Sequence, residues 1–333
     1  MLNNLVNLDD VRALRRVLRS QKASSLLARI SRNKDQQTRA VWARTSSSVR
    51  SWYNLPCVVS HWNQRITGDA NKDWRHWVID RHLQGRSSLV GLSLACGLGG
   101  KEIEWAKTGI FARLDGWDLS ETRIDAARKA AKAEGVGDVL NFVAGDALKI
   151  AGDNRYDVVI ADSALHHISP LRQMLKRIAE LLRQDGLFIV NDFVGPTRFQ
   201  WQARQMQAMT GLLHLIPSRY RYRISDGSFK DRVERPSIAR MIWNDPSEAV
   251  ESSEILPLLK ELFCVADLRG YGGTLLHMVL HDIAGNFSCD TAEDVRLLDL
   301  LFAMERTLID SNDLSDDFVL AVCTPRVPHQ QLR

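Results

Sequence analysis

Three carboxylates and a histidine pair stand at the ends of short apolar runs in the middle of this 333-residue chain. Asp118 closes one run (114–118), Asp146 closes NFVAGD (141–146) and Asp162 closes YDVVIAD (156–162). His166 and His167 follow Asp162 closely. A glycine cluster, SLACGLGG (93–100), follows a fourth apolar run. Small residues after a strand let backbone amides approach a ligand at the carboxyl edge of a parallel sheet. An acid at the end of the next strand can accept hydrogen bonds from both hydroxyls of a ribose. A neutral imidazole near its ordinary pKa can take a proton from an acceptor. Ala95, Gly97 and Gly100 have the spacing of a dinucleotide fingerprint with one glycine replaced, so the loop alone leaves the nucleoside open.

The elements around these residues alternate. Apolar strand-like runs at 89–96, 114–118, 141–146, 156–162 and 187–193 are separated by helical stretches at 101–107, 120–134 and 170–183. Ser120 is a candidate cap for the second helix. Strand and helix repeating at this pitch predict a parallel sheet covered by helices on both faces. Residues 51–88 read as an aromatic-rich helical cap, with short helices near 57–66 and 73–83 and Asp73 as N-cap of the second. Five of the nine tryptophans fall between Trp42 and Trp77, a pattern of core packing against the main body. Residues 194–262 read as a mainly helical insert punctuated by prolines. Runs at 263–269 and 317–323 read as further strands, with helical stretches at 275–283 and 291–311 between them.

In register, SLACGLGG (93–100), GWDLS (116–120), AGDAL (144–148), YDVVIADSALHHI (156–168) and LLRQDGLFIVNDF (181–193) resemble class I S-adenosylmethionine-dependent methyltransferases of the small-molecule type. The resemblance covers residues 89–193. It implies an α/β fold: a Rossmann-like, seven-stranded, mostly parallel sheet with a reversed last strand. The segments 89–193 and 263–325 would supply that sheet. It also implies S-adenosyl-L-methionine as cofactor, held by Ser93, Ala95, Gly97, Gly99, Asp118, Leu119, Asp146, Ala147 and Asp162. Two positions depart from the family, which usually has an acid at Ser93 and a glycine at Ala95. The resemblance puts the transfer pocket beyond the fourth strand, where His166 and His167 are the catalytic candidates. His166 is expected in the pocket and His167 in packing. The insert is expected to form a substrate lid, with Arg198, Trp201, Arg219, Tyr220 and, beyond the sixth strand, Tyr271 at the acceptor. Arginines among tyrosines suit an anionic or glycan-like acceptor. The expected reaction is methyl transfer to a small acceptor, at oxygen. RNA or protein methylation, a fold retained only for binding, and an NAD-dependent enzyme are the alternatives. Asp162-Ser163-Ala164-Leu165 lacks the Asn/Asp-Pro-Pro-aromatic tetrad of base-amino methylation.

Composition excludes several classes. A chain 45% hydrophobic and 25% charged is that of an ordinary globular protein, and no apolar run approaches the roughly 18 residues of a membrane span. The net charge of +4 is uneven. Residues 1–50 hold eleven Lys/Arg against Asp9, Asp10 and Asp35, and read as a basic helical extension. Docking on the body or a second subunit, an anionic surface, nucleic acid and targeting all remain open for that segment. The start shows no secretory pattern. Five scattered cysteines predict reduced thiols and a cytoplasmic setting. No metal site is expected, because His277 and His281 lack an adjacent acid or third ligand. A homo-oligomer is compatible with the sequence.

Overall fold

The computed structural model describes residues 51–326; the basic segment 1–50, and the helix expected in it, lie outside the described residues. The central sheet has seven strands in the order β3-β2-β1-β4-β5-β7-β6. They are β1 (Leu89–Leu94), β2 (Phe111–Asp118), β3 (Leu140–Ala144), β4 (Tyr156–Asp162), β5 (Leu182–Phe193), β6 (Phe263–Gly270) and β7 (Phe318–Pro325). Strand β7 runs antiparallel between β5 and β6, and the other pairings are parallel. The expected mostly parallel sheet with a reversed last strand is therefore present.

Strand β4 is buried at every position, as a central strand covered on both faces must be. The helices α1 (Pro56–Thr67), α2 (Trp74–His82), α3 (Gly100–Lys107) and α4 (Glu121–Ala133) precede β4, and α5 (Leu171–Leu181) follows it. Helix α5 buries Leu171, Met174, Leu175, Ile178 and Leu181, the spacing of a single helical face. These residues share one cluster with Leu92, Val159 and Phe188. In another cluster Trp74 and Trp77 of the cap pack with Trp105 of α3 and with Phe111, Leu114 and Phe142, so these cap tryptophans are core. Asp73 caps α2 by accepting the Arg75 N–H at 2.8 Å. Ser120 makes no such cap with its side chain; its backbone N–H donates to Asp118 Oδ1 at 2.8 Å.

The insert is less helical than its sequence predicts. It holds α6 (Ala203–Leu215), α7 (Ile238–Asn244) and α8 (Ile255–Leu262). Residues 216–237 form only a 3₁₀ turn, Ser218–Tyr220, and an isolated bridge between Tyr222 and Phe229. Pro217, Gly227 and Pro236 interrupt the helical ladder there. After β6, α9 (Leu276–Leu280) and α10 (Ala292–Asp310, capped by Thr291) complete the fold. The cysteines also depart from expectation. Cys57, on α1, is joined to Cys289 by a disulfide, with their Cα atoms 5.8 Å apart. Cys96, Cys264 and Cys323 are free. Sequence spacing could not reveal a pair separated by 232 residues.

Candidate functional site

A cavity of about 370 Å³ opens at the carboxyl ends of β1 to β4. Its walls include Ala95, Asp118, Leu119, Asp146, Ala147 and His167, five of which are among the cofactor residues expected from sequence. Of the glycine loop connecting β1 to α3, Ala95 lines the cavity, and the glycines lie outside the lining. Gly99 has φ +79°, and a Cβ there would lie 2.8 Å from Ala127 Cβ and Phe142 Cζ. Only glycine meets both demands. Ala95 also has positive φ, at 49°, a conformation that costs an L-residue about 1–2 kcal/mol. The strain falls at a residue that lines the cavity.

Asp118 is buried and ties the loop to the second strand. Its Oδ2 accepts the Gly97 N–H at 3.0 Å and its Oδ1 the Ser120 N–H at 2.8 Å. Asp146 accepts the Leu148 N–H at 3.0 Å and so shapes the next wall. Asp162 stands apart from the cavity lining. Lys101 Nζ donates to its backbone oxygen at 2.6 Å, Asn191 donates to its Oδ1 at 3.1 Å and Arg75 lies 3.4 Å from its Oδ2.

The departure at Ser93 has a structural counterpart that the sequence reading missed. The buried Ser93 hydroxyl donates to Glu102 Oε1 at 2.6 Å, bringing a carboxylate from α3 to the first strand. Glu102 is itself buried. Burial pushes its carboxyl up to about 7, against the hydrogen bond from Ser93. The folded state thus holds an extra proton between the usual value of 4.5 and about 7. Glu102 therefore lowers stability as pH rises through that window and adds no further change above it. Glu102→Gln removes this dependence. Urea unfolding of wild type and variant from pH 4.5 to 8 should show the variant gaining on wild type with pH, by on the order of 3 kcal/mol. A difference constant with pH would show that Glu102 keeps an ordinary pKa.

The two histidines occupy a 3₁₀ turn, Leu165–His167, beyond β4. Their arrangement reverses the expected division. His167 lines the cavity, whereas His166 is buried behind it. His166 Nδ1 lies 2.5 Å from Asp192 Oδ1 on β5. Asp192 is held in place by the backbone N–H groups of Ala164, Leu165 and Phe193 at 2.7–2.8 Å. Neutral His166 bound in this way donates from Nδ1 and presents the lone pair of Nε2, which lies 3.6 Å from Glu248 Oε1. Burial opposes charge on His166, but the Asp192 and Glu248 carboxylates outweigh it and hold the ring above the usual histidine range. His167 is pushed well below that range by burial and by the neighbouring His166, Lys101 and Arg123 charges. Its Nδ1 lies 3.3 Å from Ser247 Oγ and 4.0 Å from Asp245 Oδ2. Nitrogen lone pairs and a carboxylate gathered here can move a proton or bind a cation.

The expected acceptor residues do not gather at this cavity. Arg198 spends its guanidinium on the backbone oxygens of Glu248 and Pro246, at 2.9 and 2.7 Å, bracing the loop that carries Glu248. Trp201 is fully buried and donates to Asp317 at 2.6 Å. Arg219 pairs with Glu293 and Tyr220 with Asp294, both on α10. Tyr271 is buried and donates to Asn191, which in turn holds Asp162. Charged and aromatic residues of the insert thus find partners inside the fold. The segment that reaches the cavity is instead Pro246, Ser247 and Val250. Trp117 on β2 is a further wall residue not singled out from sequence.

Residues 92–190 match the family described as a methyltransferase domain. A sterol 24-C-methyltransferase of Gibberella zeae is 34% identical over 105 residues, 31% of this chain and 27% of that protein. The ubiquinone/menaquinone biosynthesis C-methyltransferase UbiE of Roseobacter denitrificans is 28% identical over 149 residues, 44% of this chain and 56% of that one. The chain thus spans between about a quarter and about half of these relatives' length. Among solved structures, geranyl diphosphate C-methyltransferase from Streptomyces coelicolor A3(2) aligns with a TM-score of 0.53 at 11% identity. That alignment covers 90% of this chain and 100% of the other, and shows a shared fold.

Proposed function

We propose, from the methyltransferase-domain match over residues 92–190 and the cavity beside it, that this protein is an S-adenosylmethionine-dependent enzyme that methylates a small acceptor, at oxygen. The carrying observation is the cavity lined by Asp118, Asp146 and His167 together. Its size falls among those of small-molecule sites, about 300–1,000 Å³. The residues present fit S-adenosylmethionine. Asp118 offers a buried carboxylate for a ribose diol, Asp146 an acceptor for an adenine amino group, and Leu119 and Ala147 apolar surface for the base. Bound there, the cofactor would supply an electrophilic methyl group on its sulfonium. The chain's own task is to align the acceptor and exclude water. Asp192 orients His166, and Arg198 braces the loop of Glu248, so the polar end of the site is fixed before an acceptor arrives.

The His166–His167–Glu248 group supports an acceptor that must lose a proton, which favours oxygen. Carbon is the second reading, because the named relatives are C-methyltransferases. The internal pairing of Arg198 and Arg219 gives an anionic acceptor no support. The Ser93–Glu102 pair offsets the missing acid, which favours an active enzyme over a fold kept only for binding. RNA or protein acceptors rest on residues 1–50, outside the described structure. Among the described residues no helix is long and apolar enough to cross a membrane. A cytoplasmic setting would keep Cys57 and Cys289 reduced.

Calorimetric titration with S-adenosylmethionine, S-adenosylhomocysteine and NAD tests the reading. Both sulfur nucleosides are expected to bind one per chain. Binding of NAD with no signal from either of them would refute the proposal.

A further inference from the structure

We propose that His166, His167 and Glu248 bind a divalent transition-metal ion of the zinc, iron or manganese class at the wall of the cavity. One ligand atom from each of the three lies within 4.8 Å of the other two. Around a cation with bonds of about 2.0–2.2 Å, neighbouring ligands of a tetrahedron sit roughly 3.5 Å apart. The 3.6 Å between His166 Nε2 and Glu248 Oε1 already matches that edge.

The surroundings are those of a prepared ligand set. A metal-binding histidine typically gives its second ring nitrogen to a carboxylate, which fixes the tautomer and raises the basicity of the ligating nitrogen. Asp192 does this for His166 at 2.5 Å, and is itself anchored by three backbone N–H groups. Glu248 is set by the Arg198 clamp on its backbone oxygen. Two imidazoles and one carboxylate favour Zn²⁺, Fe²⁺ or Mn²⁺ over Mg²⁺, which prefers oxygen ligands. Three protein ligands leave a coordination position open. His167 lines the cavity, so that position would face an acceptor. The cation would hold the acceptor oxygen by a lone pair and make its hydroxyl more acidic. This role, though not the binding itself, rests on the methyl-transfer reading.

The test uses full-length protein stripped with a chelator. Zinc content after loading and desalting gives stoichiometry, and competition with a chromophoric chelator gives affinity. One Zn²⁺ per chain is expected. Glu248→Gln and His167→Gln should each weaken binding by at least about tenfold, with melting curves confirming a folded protein. In the wild type, Zn²⁺ should also shield His167, the histidine that lines the cavity, from diethyl pyrocarbonate, read by peptide mass spectrometry, which requires no variant. No retained zinc, wild-type affinity in either folded variant, or an unshielded His167 would each overturn the proposal. Mg²⁺ displacing Zn²⁺ at equal concentration would overturn the nitrogen ligation. S-adenosylhomocysteine binding by the stripped protein separates a failure here from a failure of the methyl-transfer reading.

Discussion

His166→Ala is expected to lower turnover by about 10²–10⁴-fold while leaving the affinity for S-adenosylhomocysteine near the wild-type value. The two effects separate because His166 lies behind the cavity wall on the β4–β5 side, while Asp118 and Asp146, the carboxylates proposed to hold the cofactor, lie at the end of β2 and just past β3. Removing the ring deletes the Nε2 lone pair. That lone pair is needed whether the group takes the acceptor's proton or ligates a cation. The substitution also leaves Asp192 without its imidazole partner, although three backbone N–H groups still satisfy that carboxylate. Loss of a buried partner costs about 1–3 kcal/mol of stability, so melting curves must accompany the kinetics. His166→Asn, which keeps a polar group near Asp192, should recover stability more than turnover. Rates are read as S-adenosylhomocysteine released with an acceptor that the wild type methylates. A folded His166→Ala protein with full activity would remove His166 from the chemistry.

The sheet was legible because its signals are local. β4 has an apolar centre, Val158–Ala161, α5 has strict helical spacing, glycines follow β1, and an acid closes β2 and β4 and follows β3. Asp118, Asp146 and Ala95 stand out on that basis, and all three line one cavity, whereas Gly97 and Gly99 are not among its lining residues. The far wall was not legible. Glu248 sits on an irregular loop long after His166 in the chain, and only tertiary folding brings its carboxylate to 3.6 Å from that ring. Glu102 reads as an ordinary first-turn acid of a helix, yet its side chain turns inward to Ser93. Its burial depends on the register of α3 against β1, which no local pattern reports. The arginine and tyrosine residues of the insert misled for the opposite reason. Their chemistry suits an anion, and α10 supplies the anions internally through Glu293 and Asp294.

Asp118→Ala tests the other half of the site. The expected result is a loss of about 1.5–3 kcal/mol in S-adenosylhomocysteine binding, roughly 10- to 150-fold. Two contributions act in the same direction. A charged acceptor for the ribose hydroxyls disappears, and hydrogen bonds to a charged group are worth about 1.5–3 kcal/mol. The Gly97 and Ser120 N–H groups also lose the oxygens that now hold them at 3.0 and 2.8 Å, so the loop loses part of its fixed shape. Asp118→Asn distinguishes the two. Its single amide oxygen can keep one backbone contact but lacks the charge, so it should bind more weakly than wild type and melt closer to it than the alanine variant. Calorimetry gives the affinities and circular dichroism the melting points. Wild-type affinity in a folded Asp118→Ala protein would mean that the nucleoside lies elsewhere, because no bound ribose could face the end of β2 without sensing the loss of its only buried carboxylate at that strand end.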